Sequence, residues 1–218
     1  MLWTELLQLK NVSMDQKEHW EKIYATKNSD EVSWFQIYPK TSMEFVDLFK
    51  LGKNARIIDI GGGDSHFVDS LIEKGFLNIT VLDISANAIE RAKNRLGEKA
   101  NLAKWIISDV TDFIPKEQYD FWHDRAAFHF LTNEEQVDKY VEIAKRGIAP
   151  NGILVLGTFS ENGPLKCSGL AIHQYSEKSM SEKFSTEFLR IKCIKEDHLT
   201  PFNTAQNFLF CSFKRSSK

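Results

Sequence analysis

The chain has 218 residues, 42% of them apolar, and a formal net charge of -2. That length suits one domain with a substantial core, and the near-neutral balance supplies no general electrostatic pull toward nucleic acid or an anionic membrane. Three cysteines, Cys167, Cys193 and Cys211, form no CxxC pair and leave one over, which suits reduced thiols and a cytoplasmic setting.

Residues 1–13 read as an extension, too short and too interrupted for a signal peptide or a membrane span. A single domain is expected over 14–218. It opens with a lid segment, 14–38, whose helix carries Trp20, Ile23 and Tyr24 on one face, with Trp34 following a turn-like Asn28-Ser29-Asp30. These aromatics either pack the helix on a sheet or shield a cation, which aromatic faces attract. A second helix runs from Pro39 to Leu51 and stops at Gly52.

Arg56 to Ile60 reads as a short buried strand, broken by Gly61, Gly62 and Gly63, with an amphipathic segment starting at Ser65. Strand, glycine turn and helix N-terminus together let a backbone approach a ligand closely and aim free N–H groups at it. The next strand, Asn78 to Leu82, ends at Asp83-Ile84, where a carboxylate can accept from both hydroxyls of a ribose. A dinucleotide fingerprint wants a third glycine, but His66 stands in its place, and Asp59 would repel a pyrophosphate. No Gly-Lys-Ser/Thr follows, so the P-loop pattern fails as well. A ligand with a ribose and an ammonium but no phosphate fits better, and S-adenosylmethionine is one.

Ser85 is placed to cap a helix containing Ala88, Ile89 and Ala92 that ends near Gly97. A third strand, Lys104 to Ile107, leads to Ser108-Asp109-Val110, where Asp109 can accept from an adenine amino group and Val110 can cover the ring. The fourth strand, Tyr119 to Asp124, runs into Arg125-Ala126-Ala127-Phe128-His129-Phe130-Leu131, the densest run of chemistry-capable side chains. His129 and Asp124 are the candidates for a general base, and Arg125 either pairs with Asp124 or faces cofactor and substrate. His123, Asp124 and His129 invite a metal reading, but no further ligand pair has metal spacing, so no metal is expected.

Thr132 or Asn133 caps a helix closed by Gly147, and a fifth strand covers Ile153 to Phe159. The long loop Ser160 to Tyr175 reads as a lid; its Cys167 has no adjacent base and reads as a packed thiol. A helix from about Ser176 to Phe184 precedes two strand-like runs, Glu187 to Ile194 and Gln206 to Phe213, which as a hairpin would add an antiparallel edge. Alternating strands and helices give an α/β, doubly wound sheet, which binds ligands outside the carboxyl ends of its strands. Gly61, Asp83 and Asp109 each fall at such an end.

In this order, Ile58-Asp59-Ile60-Gly61-Gly62-Gly63, Val81-Leu82-Asp83 and Ser108-Asp109-Val110 resemble the class I S-adenosylmethionine-dependent methyltransferases. Further stretches resemble a small, largely uncharacterised bacterial subgroup: His19 to Lys27, Trp122 to Phe130 and Gly163 to Leu170. The likeness covers about residues 14–214. It implies a Rossmann-like seven-stranded sheet, mostly parallel with strand seven reversed. It also implies that Asp59 and Gly61–Gly63 hold the methionine part, Asp83 the ribose, and Asp109 with Val110 the adenine. Trp20, Tyr24 and Trp34 would close the site. The chain lacks the Asn/Asp-Pro-Pro-Tyr/Phe motif of amino-methylating nucleic-acid enzymes, having His123-Asp124-Arg125-Ala126 instead. That counts against a nucleic-acid base as acceptor. A compact chain with no added substrate domain favours a small-molecule acceptor first and a protein side chain such as lysine second, and no membrane partner is expected. A non-catalytic cofactor-binding protein and an NAD-dependent oxidoreductase are the competing readings, the latter losing on His66 and Asp59. No oligomeric state can be read from the sequence.

Overall fold

The computed structural model describes residues 16–217. The expected extension, 1–13, and the start of the lid segment lie outside the described residues. Helix α1 covers residues 16–26. Then come α2 (Lys40–Leu48), β1 (Arg56–Ile60), α3 (Phe67–Glu73), β2 (Asn78–Asp83), α4 (Ala86–Leu96), β3 (Ala103–Ile107) and β4 (Tyr119–Arg125). After these follow α5 (Glu134–Gly147), β5 (Ile148–Phe159), the two-residue strands β6 (Lys166–Cys167) and β7 (Leu170–Ala171), α6 (Glu177–Phe184), β8 (Phe188–Leu199) and β9 (Ala205–Arg215).

Seven strands form one sheet in the order β3-β2-β1-β4-β5-β9-β8. Pairing is parallel from β3 through β5, and β9 runs antiparallel to both β5 and β8. The expected Rossmann-like sheet is borne out. The expected antiparallel hairpin at the edge is present too: β9, the last strand, inserts reversed beside β5, and the outermost strand β8 runs with the parallel set.

The central strands are near-continuous apolar runs because helices cover both faces. On one face Val137, Tyr140, Ile143 and Ala144 of α5 and Met180 and Phe184 of α6 pack against Ile58, Ile60, Trp122 and Leu156. On the other, Met43, Phe45 and Val46 of α2 and Phe67, Val68 and Leu71 of α3 meet Ile57, Val81, Phe121 and Val155. Caps fix the helix starts: Ser85, Asn133 and Ser176 each accept a backbone N–H from the first turn.

Two features depart from the reading of the loops and cysteines. The 160–175 loop carries the β6–β7 hairpin, turned at Ser168 and Gly169 with positive φ at both. Cys193 and Cys211 lie directly opposite on β8 and β9 and form a disulfide, which corrects the expectation of reduced thiols; Cys167 alone is free, and buried.

Gly157 of β5 sits between Arg125 and Phe210, and a Cβ there would lie 2.5 Å from the Phe210 ring. Gly157→Ala is expected to destabilise the fold by about 1–3 kcal/mol through overpacking, read as a lower urea midpoint at unchanged m-value.

Candidate active site

The strand ends meet in one cavity, roofed by α1 and the segment that follows it. Gly61 turns the chain with φ +64, and a Cβ on it would lie 2.7 Å from the Ala127 Cβ, so the turns after β1 and β4 press together. At Gly62 a Cβ would lie 2.6 Å from Asp59 Oδ2 and 2.8 Å from Val81 Cγ1. These close approaches explain why glycines rather than alanines stand here.

Asp59 is buried on β1 next to His123 on β4. A carboxylate only accepts, so His123 Nδ1 donates to Asp59 Oδ1 (2.7 Å) and Nε2 accepts from the Ser42 hydroxyl (2.8 Å). The His123 ring also stacks on Phe67 at 4.1 Å. Asp59 Oδ2 is buried and has no partner. A buried, half-satisfied carboxylate lining a cavity suits a cationic group.

Asp83 ends β2 and is also buried. Its Oδ1 accepts from Ser85 N–H (2.8 Å), and the Gly63 backbone bonds it as well. Burial, with the charges of Asp59 and Glu21 adding to it, pushes its carboxyl up to about 7. Asp109 accepts from the Thr111 N–H and hydroxyl (2.8 Å each), which opens the turn that carries Val110.

The roof is tied down by contacts that the sequence reading missed. Glu21 on α1 accepts from Ser85 Oγ (2.8 Å), Ala86 N–H (2.8 Å) and Asn87 N–H (3.0 Å), a carboxylate on the N-terminus of α4. Arg91 donates to the Tyr24 carbonyl (3.2 Å) and the Lys27 carbonyl (2.6 Å). Trp20 makes edge-to-face contacts with Trp34 (5.5 Å) and Phe130 (5.1 Å). Only the amphipathic period around Trp20 hinted at a docked helix; nothing local to Glu21 or Arg91 identified their partners.

Of the residues singled out in the sequence, the cavity brings together Trp20, Tyr24, Trp34, Asp59, Gly61, Gly62, Asp83, Ile84, Asp109, Val110 and Arg125. Gly63 stands behind this set, against Asp83. The two base candidates fall elsewhere. Asp124 is fully buried on the opposite face of the sheet, accepting from the Ala127 and Phe128 N–H groups (3.0 and 3.1 Å) and the Tyr140 hydroxyl (2.8 Å). Burial holds its carboxyl up at about 6. His129 is fully buried between Phe130 and Phe159, its Nδ1 accepting from the Phe159 N–H (3.3 Å). Burial, helped by the nearby Arg125 charge, pushes it down to about 3, and it lines no part of the cavity. Arg125 does not pair with Asp124, because successive residues of a strand point to opposite faces. Cys167 lines the cavity, but burial pushes its thiol up to about 12, against nucleophilic use near neutral pH. Among the described residues no group of His, Cys, Asp and Glu could hold a metal ion, and no helix is long and apolar enough to cross a membrane.

A family model described as "Methyltransferase domain" matches residues 51–206. EEF1A lysine methyltransferase 2 of Danio rerio is 28% identical over 157 residues, 64% of this chain and 66% of that protein. Malonyl-[acyl-carrier protein] O-methyltransferase 2 of Ilyobacter polytropus is 28% identical over 107 residues, 49% of this chain and 40% of that protein. The chain thus spans less than two thirds of the length of these relatives. The N-methyltransferase NodS of Bradyrhizobium japonicum WM9, in complex with S-adenosyl-l-homocysteine, superposes with a TM-score of 0.68 at 17% identity, over 93% of this chain and 98% of that one. A structure reported under "Conversion of a Disulfide Bond into a Thioacetal Group during Echinomycin Biosynthesis" gives 0.76 at 14% identity, over 93% and 92%. Likeness at these identities concerns the fold.

Asp83 has a direct consequence for stability. Its folded value near 7 lies above the unfolded value of about 3.9, so the folded state holds the extra proton between them and Asp83 lowers stability as pH rises through that window. The stability of Asp83→Asn relative to the parent is therefore expected to rise from about pH 4 to about pH 7 and then level off, measured by urea unfolding at stepped pH.

Proposed function

The chain belongs to the class I S-adenosylmethionine-dependent methyltransferases, with S-adenosylmethionine as cofactor, and we propose that it transfers a methyl group to a small-molecule acceptor held under the α1 roof. The single observation that carries this is the buried Asp59 Oδ2, without a partner, in the cavity that Asp83 and Asp109 also line. An unpartnered carboxylate oxygen suits the ammonium of a methionyl group, and Asp83 suits a ribose diol. Asp109 and Val110 would take the adenine edge and face.

When bound, the cofactor would supply an electrophilic methyl on a cationic sulfur, with a neutral sulfide as the leaving group that keeps the C–S electron pair. The protein's own work is alignment and exclusion of water. Trp20, Trp34 and Phe130 give the cavity an aromatic wall that suits a cation and keeps water out. The Asp59–His123–Ser42 chain fixes the carboxylate in place. Neither Asp124 nor His129 is assigned a proton-transfer role, since both lie outside the cavity.

A second reading, methylation of a protein lysine, draws on the similarity to EEF1A lysine methyltransferase 2. The cavity's position under the α1 roof, with an aromatic wall, favours the small molecule. Incubating the protein and methyl-labelled S-adenosylmethionine with a cell extract, then sorting by size, tests the two: label in the small-molecule fraction supports the proposal, and label on protein supports the alternative. Absence of any label would leave a binding protein and overturn both.

Asp83→Ala is expected to weaken S-adenosylhomocysteine binding at least about tenfold by calorimetry, since a ribose would lose both hydroxyl contacts. In the parent, the ionised carboxylate is the form that accepts twice. Affinity is therefore expected to rise about tenfold from about pH 6 to about pH 8, and Asp83→Asn should flatten that rise.

A further inference from the structure

Arg125 is held from two directions, and two of its nitrogens are left without a partner. Its Nη1 donates to the Trp34 carbonyl (3.0 Å). One face of its guanidinium lies over the Phe208 ring, 4.7 Å from the centroid. Nε and Nη2, the two nitrogens of the side-on edge, are buried and have no hydrogen-bond partner. Their N–H bonds run parallel, the geometry that takes both oxygens of a carboxylate or phosphate at once. Among the described residues Arg125 makes no ion pair, and the Glu196 charge that acts on it stands beyond hydrogen-bond reach. The side chain remains a cation at neutral pH, with burial bringing it only to about 10. Arg125 lines the cavity as a part-buried cation, and its two buried, unpaired fork nitrogens are costly unless a ligand fills them.

Its position says which ligand. The strand ends bearing Asp109, Asp83, the glycine turn and Arg125 follow one another as β3, β2, β1 and β4. Neighbouring strands stand about 4.8 Å apart, so Arg125 lies roughly 10 Å from Asp83, beyond the glycine turn. With the adenosine toward Asp109 and Asp83, the region past the glycine turn is where the acceptor would enter. We propose that the Arg125 fork is the recognition site for an oxyanion, a carboxylate or phosphate group, carried by the methyl acceptor. This rests on the methyltransferase reading above and narrows its substrate class to anionic small molecules.

The test uses the full chain, with the fluorescence of Trp20 and Trp34 at the cavity and calorimetry as readouts. S-adenosylhomocysteine is bound first; benzoate, acetate or inorganic phosphate is then titrated against chloride at matched ionic strength. The parent is expected to bind at least one of these oxyanions in the S-adenosylhomocysteine complex. Arg125→Gln should weaken that binding at least about tenfold while changing S-adenosylhomocysteine affinity less than about twofold. Arg125→Lys, which keeps the charge but loses the fork, should also lose most of it, and serves if the glutamine variant does not fold. Glu196→Gln, which removes the neighbouring negative charge, should tighten oxyanion binding, an effect that a purely structural arginine would not produce. No oxyanion binding to the complex overturns the proposal. So does loss of S-adenosylhomocysteine affinity in Arg125→Gln with 5′-methylthioadenosine affinity kept, because the fork then holds the amino-acid carboxylate of the cofactor product. Failure of the parent to bind S-adenosylhomocysteine at all is a different result, and overturns the methyltransferase reading itself.

Discussion

Asp59 reaches from β1 to His123 on β4, and His123 reaches from there to Ser42 on α2, so one chain of buried hydrogen bonds joins two central strands to the helix above them. This chain can exist only because both strands are parallel neighbours in register, with Asp59 opposite His123. It leaves one carboxylate oxygen unsatisfied at the floor of the cavity. A polar group buried at such cost needs either a ligand or a reason to stay dry, and the aromatic roof supplies the second until the first arrives.

Much of this was legible locally. The glycine turn, Asp83 and Asp109 announce themselves because each sits where an apolar run stops, and strand ends are visible in a sequence without knowing how strands pair. The end of β4 and the turn beyond it were harder, since chemistry-capable side chains crowd there without regard to direction. Period-two alternation separates them: His123 and Arg125 point to the cavity side, whereas Asp124 points into the core with α5. Applying that alternation to the run from Trp122 to Arg125 would have removed Asp124 from the base candidates. His129 lies past the strand, on a short turn, and no periodicity governs it there.

Other features depended on partners distant in the chain. Glu21 and Ser85, or Arg91 and Lys27, are more than sixty positions apart. Their contact is a fact of docking, not of local pattern. The Cys193–Cys211 bridge required the hairpin register, which places those two residues face to face only if β8 and β9 are longer than their apolar stretches suggested. The roof is thus held by charge and hydrogen bonds at its rim and by aromatic packing at its centre.

The insertion of β9 between β5 and β8 has a bearing on how the molecule comes into being. As the chain is synthesised, β1 to β5 can pair in the sequence in which they emerge, and each new strand finds a neighbour already waiting. For β8 there is none: its only partner in the sheet is the strand made after it. Until β9 appears, the open side of β5 and the whole of β8 present unpaired backbone, the condition under which nascent chains associate wrongly or recruit chaperones. The growing protein is therefore vulnerable longest on the β5 side of its sheet, and its commitment to the native state waits on a single late strand.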